Sequence, residues 1–137
     1  EVLHQSGYNP DLTTLFLWEG VTYYLPEKAV TDTLSFIKED GAIGSKLIFD
    51  YFYQSFIDGN QNYYGAKEIS TAVRKVGEPF QFGIAPESVA VFLAAFGFEV
   101  TKCYSPTALE QRYLSSEGEQ LGKVYGFAEC VCAIKTQ

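Results

Sequence analysis

Methionine is missing from all 137 residues, position 1 included. A chain that opens on Glu1, in what reads as the last turns of a helix, is expected to be cut from something longer. Histidine occurs once, as His4, so a Ser-His or Cys-His device has little to be built from. His4 itself is expected to face solvent without a partner. The three cysteines, Cys103, Cys130 and Cys132, form no CxxC or CxxxC pair. That spacing argues against a disulfide framework and a zinc site, and no metal is expected. Cys130 and Cys132 alternate with Val131 in an apolar run and read as small core residues. Basic residues are few, ten against seventeen acidic ones, for a net charge of -7. Binding nucleic acid through its phosphates needs a basic footprint, so no such partner is expected. No apolar run approaches the roughly 20 residues of a bilayer span, and no charged segment with an apolar stretch behind it opens the chain. A soluble, cytoplasmic protein with no membrane partner is the expectation. The glycines of DGAIGSK (residues 40–46) precede a strand, whereas a dinucleotide loop must follow one. GxSxG and HExxH do not occur.

What is present is a 47% hydrophobic chain, enough for one core and a single α/β domain over residues 1–137. Its organising stretch is Leu15 to Pro26, LFLWEGVTYYLP. The unbroken run Leu15–Trp18 suits a strand buried on both faces of a parallel sheet. It stops at one carboxylate, Glu19, where open α/β sheets place their ligands. Gly7 is read as a helix cap and Tyr8–Asp11 as a turn. Pro26 opens a helix whose inward period is Val30, Leu34 and Ile37, ended by Gly41. A second strand, Ser45 to about Tyr51, again ends in a lone acid, Asp50, followed by Tyr51, Phe52 and Tyr53. The linking helix makes the two strands parallel neighbours.

Residues 54–65 read as a surface or lid loop, and 54–84 together as a lid or insert. A helix is expected from about Ala66 to Lys75, and another from Pro86 to Gly97 with Val89, Phe92, Leu93 and Phe96 on one face. Phe98–Tyr104 is a third strand. Ser105 begins a short helical segment, and a last strand spans about Val124 to Lys135.

Carboxylates and tyrosines at strand ends are therefore the chemistry available. Glu19 can be an acid that marks where a buried strand meets water, which position alone favours. It can also be a fixed carboxylate facing a cationic ligand, with Tyr23 or Tyr24 shaping the pocket. For Asp50 and Tyr51 the two readings are even.

The phrase LFLWEGVTYYLPEKAV resembles the fourth-strand segment of the leucine carboxyl methyltransferase family, whose members use S-adenosylmethionine. SKLIFDY looks like that family's fifth strand, and GEPFQFGIAPESVAVFLAAFGFEV is similar to its downstream segment. The resemblance implies a class I, Rossmann-like sheet, mostly parallel, with its last strand antiparallel between the fifth and sixth. It implies that Glu19 contacts S-adenosylmethionine near the methionine portion, and that Tyr24 lies toward the acceptor. Asp50 and Tyr51 match a strand-end pair at the same mouth. No catalytic residue is assigned.

The family's glycine loop and its ribose-binding acid would lie upstream of residue 1, so the chain corresponds to the carboxy-terminal half of such a sheet. The whole enzyme is expected to be an O-methyltransferase acting on a carboxyl or small-molecule acceptor, and the isolated chain to be inactive and to bind cofactor weakly or not at all. The alternatives are a binding or assembly module that kept the fold without the cofactor loop, and more weakly a hydrolase using Glu19 and Asp50 as acid and base. The first strand has a neighbour on one side only. Such an edge is expected to pair with a missing amino-terminal half or with a second copy.

Overall fold

The computed structural model describes residues 2–137. Residue 1, where the first helix was expected to begin, lies outside them; the turns that follow form α1 (Val2–Gln5). The turn after α1 carries the chain back across the end of the next helix. There His4 Nε2 meets Asp40 Oδ2 at 3.0 Å and the Tyr8 hydroxyl donates to the Asp40 carbonyl at 3.1 Å. His4 is thus exposed but not partnerless, a correction to the sequence expectation: its partner is 36 positions away and leaves no local signal.

Pro26 caps α2 (Glu27–Asp40), and Val30, Leu34 and Ile37 are its buried residues, as the helical period requires. The four-stranded sheet has the order β1-β2-β6-β3: β1 (Leu15–Trp18), β2 (Lys46–Phe52), β6 (Ala128–Lys135) and β3 (Phe98–Tyr104). β1 and β2 are parallel, and β6 runs antiparallel to both β2 and β3. Three strands therefore point one way and the last runs against them, in a mixed α/β fold. A short hairpin, β4 (Ser115–Ser116) and β5 (Glu119–Gln120), precedes β6, so β6 begins four residues later than the apolar pattern suggested. Those residues go to a turn in which Tyr125 stacks on Phe127 and the Gly126 N–H donates to the Tyr64 carbonyl.

Register assigns the side chains to faces. Phe16 and Trp18, Leu47, Phe49 and Tyr51, and Val131 and Ala133 share one face. The buried sides of α2 and of α5 (Val89–Ala94) pack on it to form the main core. Leu15, Leu17, Ile48, Cys132 and Ile134 share the other face and belong to neither core cluster. At the far end of that face Phe52 is covered by a second cluster with Phe56, Ala66 and Phe127.

Two helices depart from the sequence expectation. The 54–65 segment is not all loop: α3 (Gln54–Ile57) occupies its start, because Phe56 must turn inward to stack on Phe127 at 3.8 Å. The expected helix from Pro86 begins as a 3-10 turn (Pro86–Ser88) and becomes α5 only at Val89. α4 (Ala66–Val76) and α6 (Pro106–Tyr113) stand where the sequence placed them, with Ser105 Oγ accepting from the Ala108 N–H at the start of α6.

Candidate functional site

The carboxyl ends of β1 and β2 open side by side. Immediately after β1, Glu19 projects into solvent and Gly20 turns the chain with φ of 72°, a conformation that suits a residue lacking a Cβ. The turn is fastened to β2 twice. The Gly20 N–H donates to Asp50 Oδ1 at 2.8 Å, and the Thr22 hydroxyl donates to the Asp50 carbonyl at 2.6 Å. Thr22 is wholly buried in consequence. Asp50 therefore holds the shape of the loop that carries Glu19. Burial pushes its carboxyl up from the usual range, the Gly20 N–H pulls it back, and the nearby Glu19 charge pushes it up again. Glu19 and Asp50 thus stand at one mouth, where two acids make a field that attracts a positively charged group.

Tyr23 and Tyr24 continue the loop as a 3-10 turn (Thr22–Tyr24). Tyr23 lies flat on Phe52, with centroids 3.7 Å apart and planes 3° from parallel, so the ring is packed rather than free. Burial, Asp50 and Tyr24 push its hydroxyl up to about 12, which keeps it a phenol at neutral pH. Tyr24 is the more open ring, 37% exposed, and packs at a tilt on Phe80 with centroids 5.2 Å apart. The Gln81 side chain donates to the Tyr24 carbonyl at 2.8 Å and the Gln81 N–H to the Tyr23 carbonyl at 2.8 Å, tying the segment before Pro86 to the same loop.

Tyr51 goes elsewhere. Successive residues of a strand face opposite ways, so Tyr51 points to the core face while Asp50 points to the other. Its ring is fully buried and its hydroxyl donates to Glu129 Oε2 at 2.5 Å. The structure thus brings Glu19, Asp50, Tyr23 and Tyr24 to one mouth and gives Tyr51 to a separate cluster. In that cluster Tyr53 donates to Glu129 Oε1 at 3.0 Å and the Cys103 thiol donates to Oε2 at 3.2 Å. Burial and the Glu129 carboxylate together raise all three donors, Cys103 to about 12 and the tyrosines well above their ordinary value. Glu129 is a buried carboxylate that meets three protons and, among the described residues, no cation. Sequence reading missed it. The signal was an acid in the inward phase of AECVCAIK, alternating with Val131 and Ala133.

Among the described residues no buried side-chain polar atom lacks a partner, so the Glu129 carboxylate is satisfied from within the protein, with Cys103 at the exposed side of the cluster. Glu19 differs: no hydrogen bond or ion pair engages it among the described residues. A groove of about 430 Å³ runs beside the same strand, lined by Leu15, Phe16, Leu17, Trp18, Leu25 and Ile37.

The family model described as leucine carboxyl methyltransferase matches residues 1–38, the segment that holds β1, Glu19 and the two tyrosines. No curated protein sequence matches the chain. Among solved structures it is similar to one titled as a possible exported protein from Bordetella parapertussis. The TM-score is 0.53 at 14% identity, over 95% of this chain and 43% of that one. At that identity the likeness concerns the fold alone, and the chain spans less than half the length of that neighbour. Among the described residues no helix is long and apolar enough to cross a membrane.

Proposed function

We propose that this chain is the carboxy-terminal part of an S-adenosylmethionine-dependent O-methyltransferase related to the leucine carboxyl methyltransferases. The observation that carries the reading is the family match over residues 1–38, which includes the free carboxylate Glu19 at the mouth of the sheet. The antiparallel β6 between β2 and β3 supports a Rossmann-like methyltransferase sheet, of which these four strands would be one half.

Bound S-adenosylmethionine would supply an already activated methyl group, so the protein's task is alignment. Glu19 would hold the cationic methionine end, with the Asp50 charge adding to the field while its Oδ1 fixes the Gly20 turn. Tyr24, the open ring on that loop, would line the acceptor side, with the 54–84 insert as the lid beside it. Tyr51, which the resemblance assigns to the same mouth, would act from behind it by bracing the end of β2 against Glu129. A carboxylate acceptor is ionised at neutral pH and needs no general base, in keeping with a mouth that holds two acids and no histidine. Holders for the ribose and adenine would come from sequence outside these 137 residues.

The bare side of β1 is where that sequence, or failing it a second copy, would pair. A cytoplasmic location belongs to the same proposal and is supported by three free thiols. A non-catalytic assembly module is the second reading; it is favoured by Asp50 being engaged by the loop itself, which leaves Glu19 alone at the mouth.

Calorimetry with S-adenosylhomocysteine tests the reading on the 137-residue chain and on the same chain extended by its upstream coding sequence. The extended chain should bind, and Glu19→Gln should weaken it about tenfold, the scale of one charge-assisted contact. Failure of the extended chain to bind, or indifference to Glu19→Gln, would leave the assembly module as the better account.

A further inference from the structure

Residues 56–80 form an open pocket beside the mouth, with Phe80 as the ring common to both. It has a volume of about 340 Å³, within the range of small-molecule sites. Phe56 and Phe80 form an aromatic wall, Ile57 and Val73 add apolar surface, and Ser70 and Arg74 supply polar atoms at the rim. The wall is set before any ligand arrives. Phe56 is stacked on Phe127, and Phe80 is held edge-on to Phe52 at 4.9 Å. Rings fixed in this way lose little freedom when a second apolar body lies against them.

Arg74 is the charged residue of this cavity, in a chain whose acidic residues outnumber its basic ones seventeen to ten. Even so, its guanidinium makes no ion pair and no hydrogen bond among the described residues. Its position in the last turn of α4 offers an ordinary role, facing the carbonyl end of the helix. Lys75 lies in the same turn and can serve that end equally. A guanidinium presents a planar fork that matches the two oxygens of a carboxylate or phosphate.

We propose that this cavity binds a small oxyanion carried on an aromatic or short alkyl body, the body against Phe56 and Phe80 and the charge at Arg74. The site is independent of the methyl-transfer reading, since binding requires neither cofactor nor Glu19. Its chemistry is shared by carboxylates and phosphate esters.

The test is titration of the isotopically labelled chain with 4-phenylbutanoate, phenyl phosphate and the uncharged 4-phenylbutan-1-ol, followed by amide chemical shifts. The charged probes should bind more tightly than the alcohol, with shifts concentrated in residues 56–80. Arg74→Gln should weaken the charged probes about tenfold and leave the alcohol unchanged. Arg74 is exposed, so this variant should fold; a matching amide spectrum outside residues 56–80 checks that it does. Tighter binding of 4-phenylbutanoate identifies a carboxylate ligand, and tighter binding of phenyl phosphate a phosphate ester. Equal affinity for the alcohol, no effect of Arg74→Gln, no binding by any probe, or shifts gathered on β1 instead would overturn the proposal.

Discussion

β1 and β6 invert the ordinary relation between composition and burial. β1, LFLW, is uniformly apolar, yet Leu15 is 59% and Leu17 65% exposed. β6, AECVCAIK, carries Glu129 and Lys135, and both are buried. Place in the sheet decides the outcome: β6 has a strand on each side and β1 has one. Composition records what a strand is built to touch, while exposure records what touches it in this chain. β6 meets that demand internally, because Glu129 is satisfied by Tyr51, Tyr53 and Cys103, and Lys135 Nζ donates to the Gln137 carbonyl. In β1 it is unmet, and the same strand ends at Glu19, which no hydrogen bond or ion pair engages among the described residues.

The largest effect should come from breaking the centre. Glu129→Leu strands the buried Tyr51 hydroxyl and unpairs the half-buried Tyr53 hydroxyl, and should cost about 3 kcal/mol in urea unfolding, since each buried group left unpaired costs about 1–3 kcal/mol. Tyr51→Phe should cost about 2 kcal/mol, the scale of one hydrogen bond to a charged group. A loss below about 0.5 kcal/mol in both would mean that the cluster contributes nothing to holding β2, β3 and β6 together.

Alkaline pH probes the same cluster without mutation. Tyr51, Tyr53 and Cys103 are all raised by burial and by Glu129, so the folded chain keeps protons that the unfolded chain releases. The stability they contribute is complete below about pH 9, the ordinary thiol value, and declines as pH rises, the Cys103 share toward about 12 and the tyrosine share at higher pH still. Urea midpoints measured from pH 8 upward should fall, and fall less steeply in Tyr51→Phe. A flat profile would contradict the burial of these protons.

The contrasting change at the edge should be small. Leu17→Lys should alter the stability of the monomer by no more than about 0.5 kcal/mol, as for an exposed residue without special contacts. A loss of several kcal/mol would show that β1 is covered after all. Smallest of all is the effect of the loop acid. Asp50 is raised by burial, so the stability it contributes is present below its ordinary 3.8 and is lost as pH rises through its folded value. Asp50→Asn, whose amide oxygen can still accept from Gly20, should flatten that decline when urea midpoints are compared between acid and neutral pH. An unchanged difference would place Asp50 in water.

Much of this layout was legible in the residues. The 3.6-residue period of Val30, Leu34 and Ile37, the proline and glycine limits of α2, and the strand Phe98–Tyr104 depend on local rules, and the fold obeys them. The bare outer side of β1 was also legible, because element order alone left it one neighbour. What escaped is long-range or sub-residue. Asp50 and Tyr51 read as a matched pair, but adjacent strand residues face apart, so they serve different clusters. The Glu129 cluster joins residues 26 to 78 positions apart, and His4 finds Asp40 across a turn. The late start of β6 follows from Tyr125 and Gly65 meeting so closely that a Cβ on Gly65 would lie 2.4 Å from the ring, a fit that no pattern announces.

Sedimentation velocity of the isolated 137-residue chain over a wide range of concentration, beside Leu17→Lys, tests the central claim that β1 is an edge made for a neighbour. The wild-type chain should associate as concentration rises, because an apolar edge with no other partner pairs with a second copy, and Leu17→Lys should stay monomeric. A wild-type chain that remains a well-behaved monomer throughout, or a Leu17→Lys chain that associates just as strongly, would contradict it.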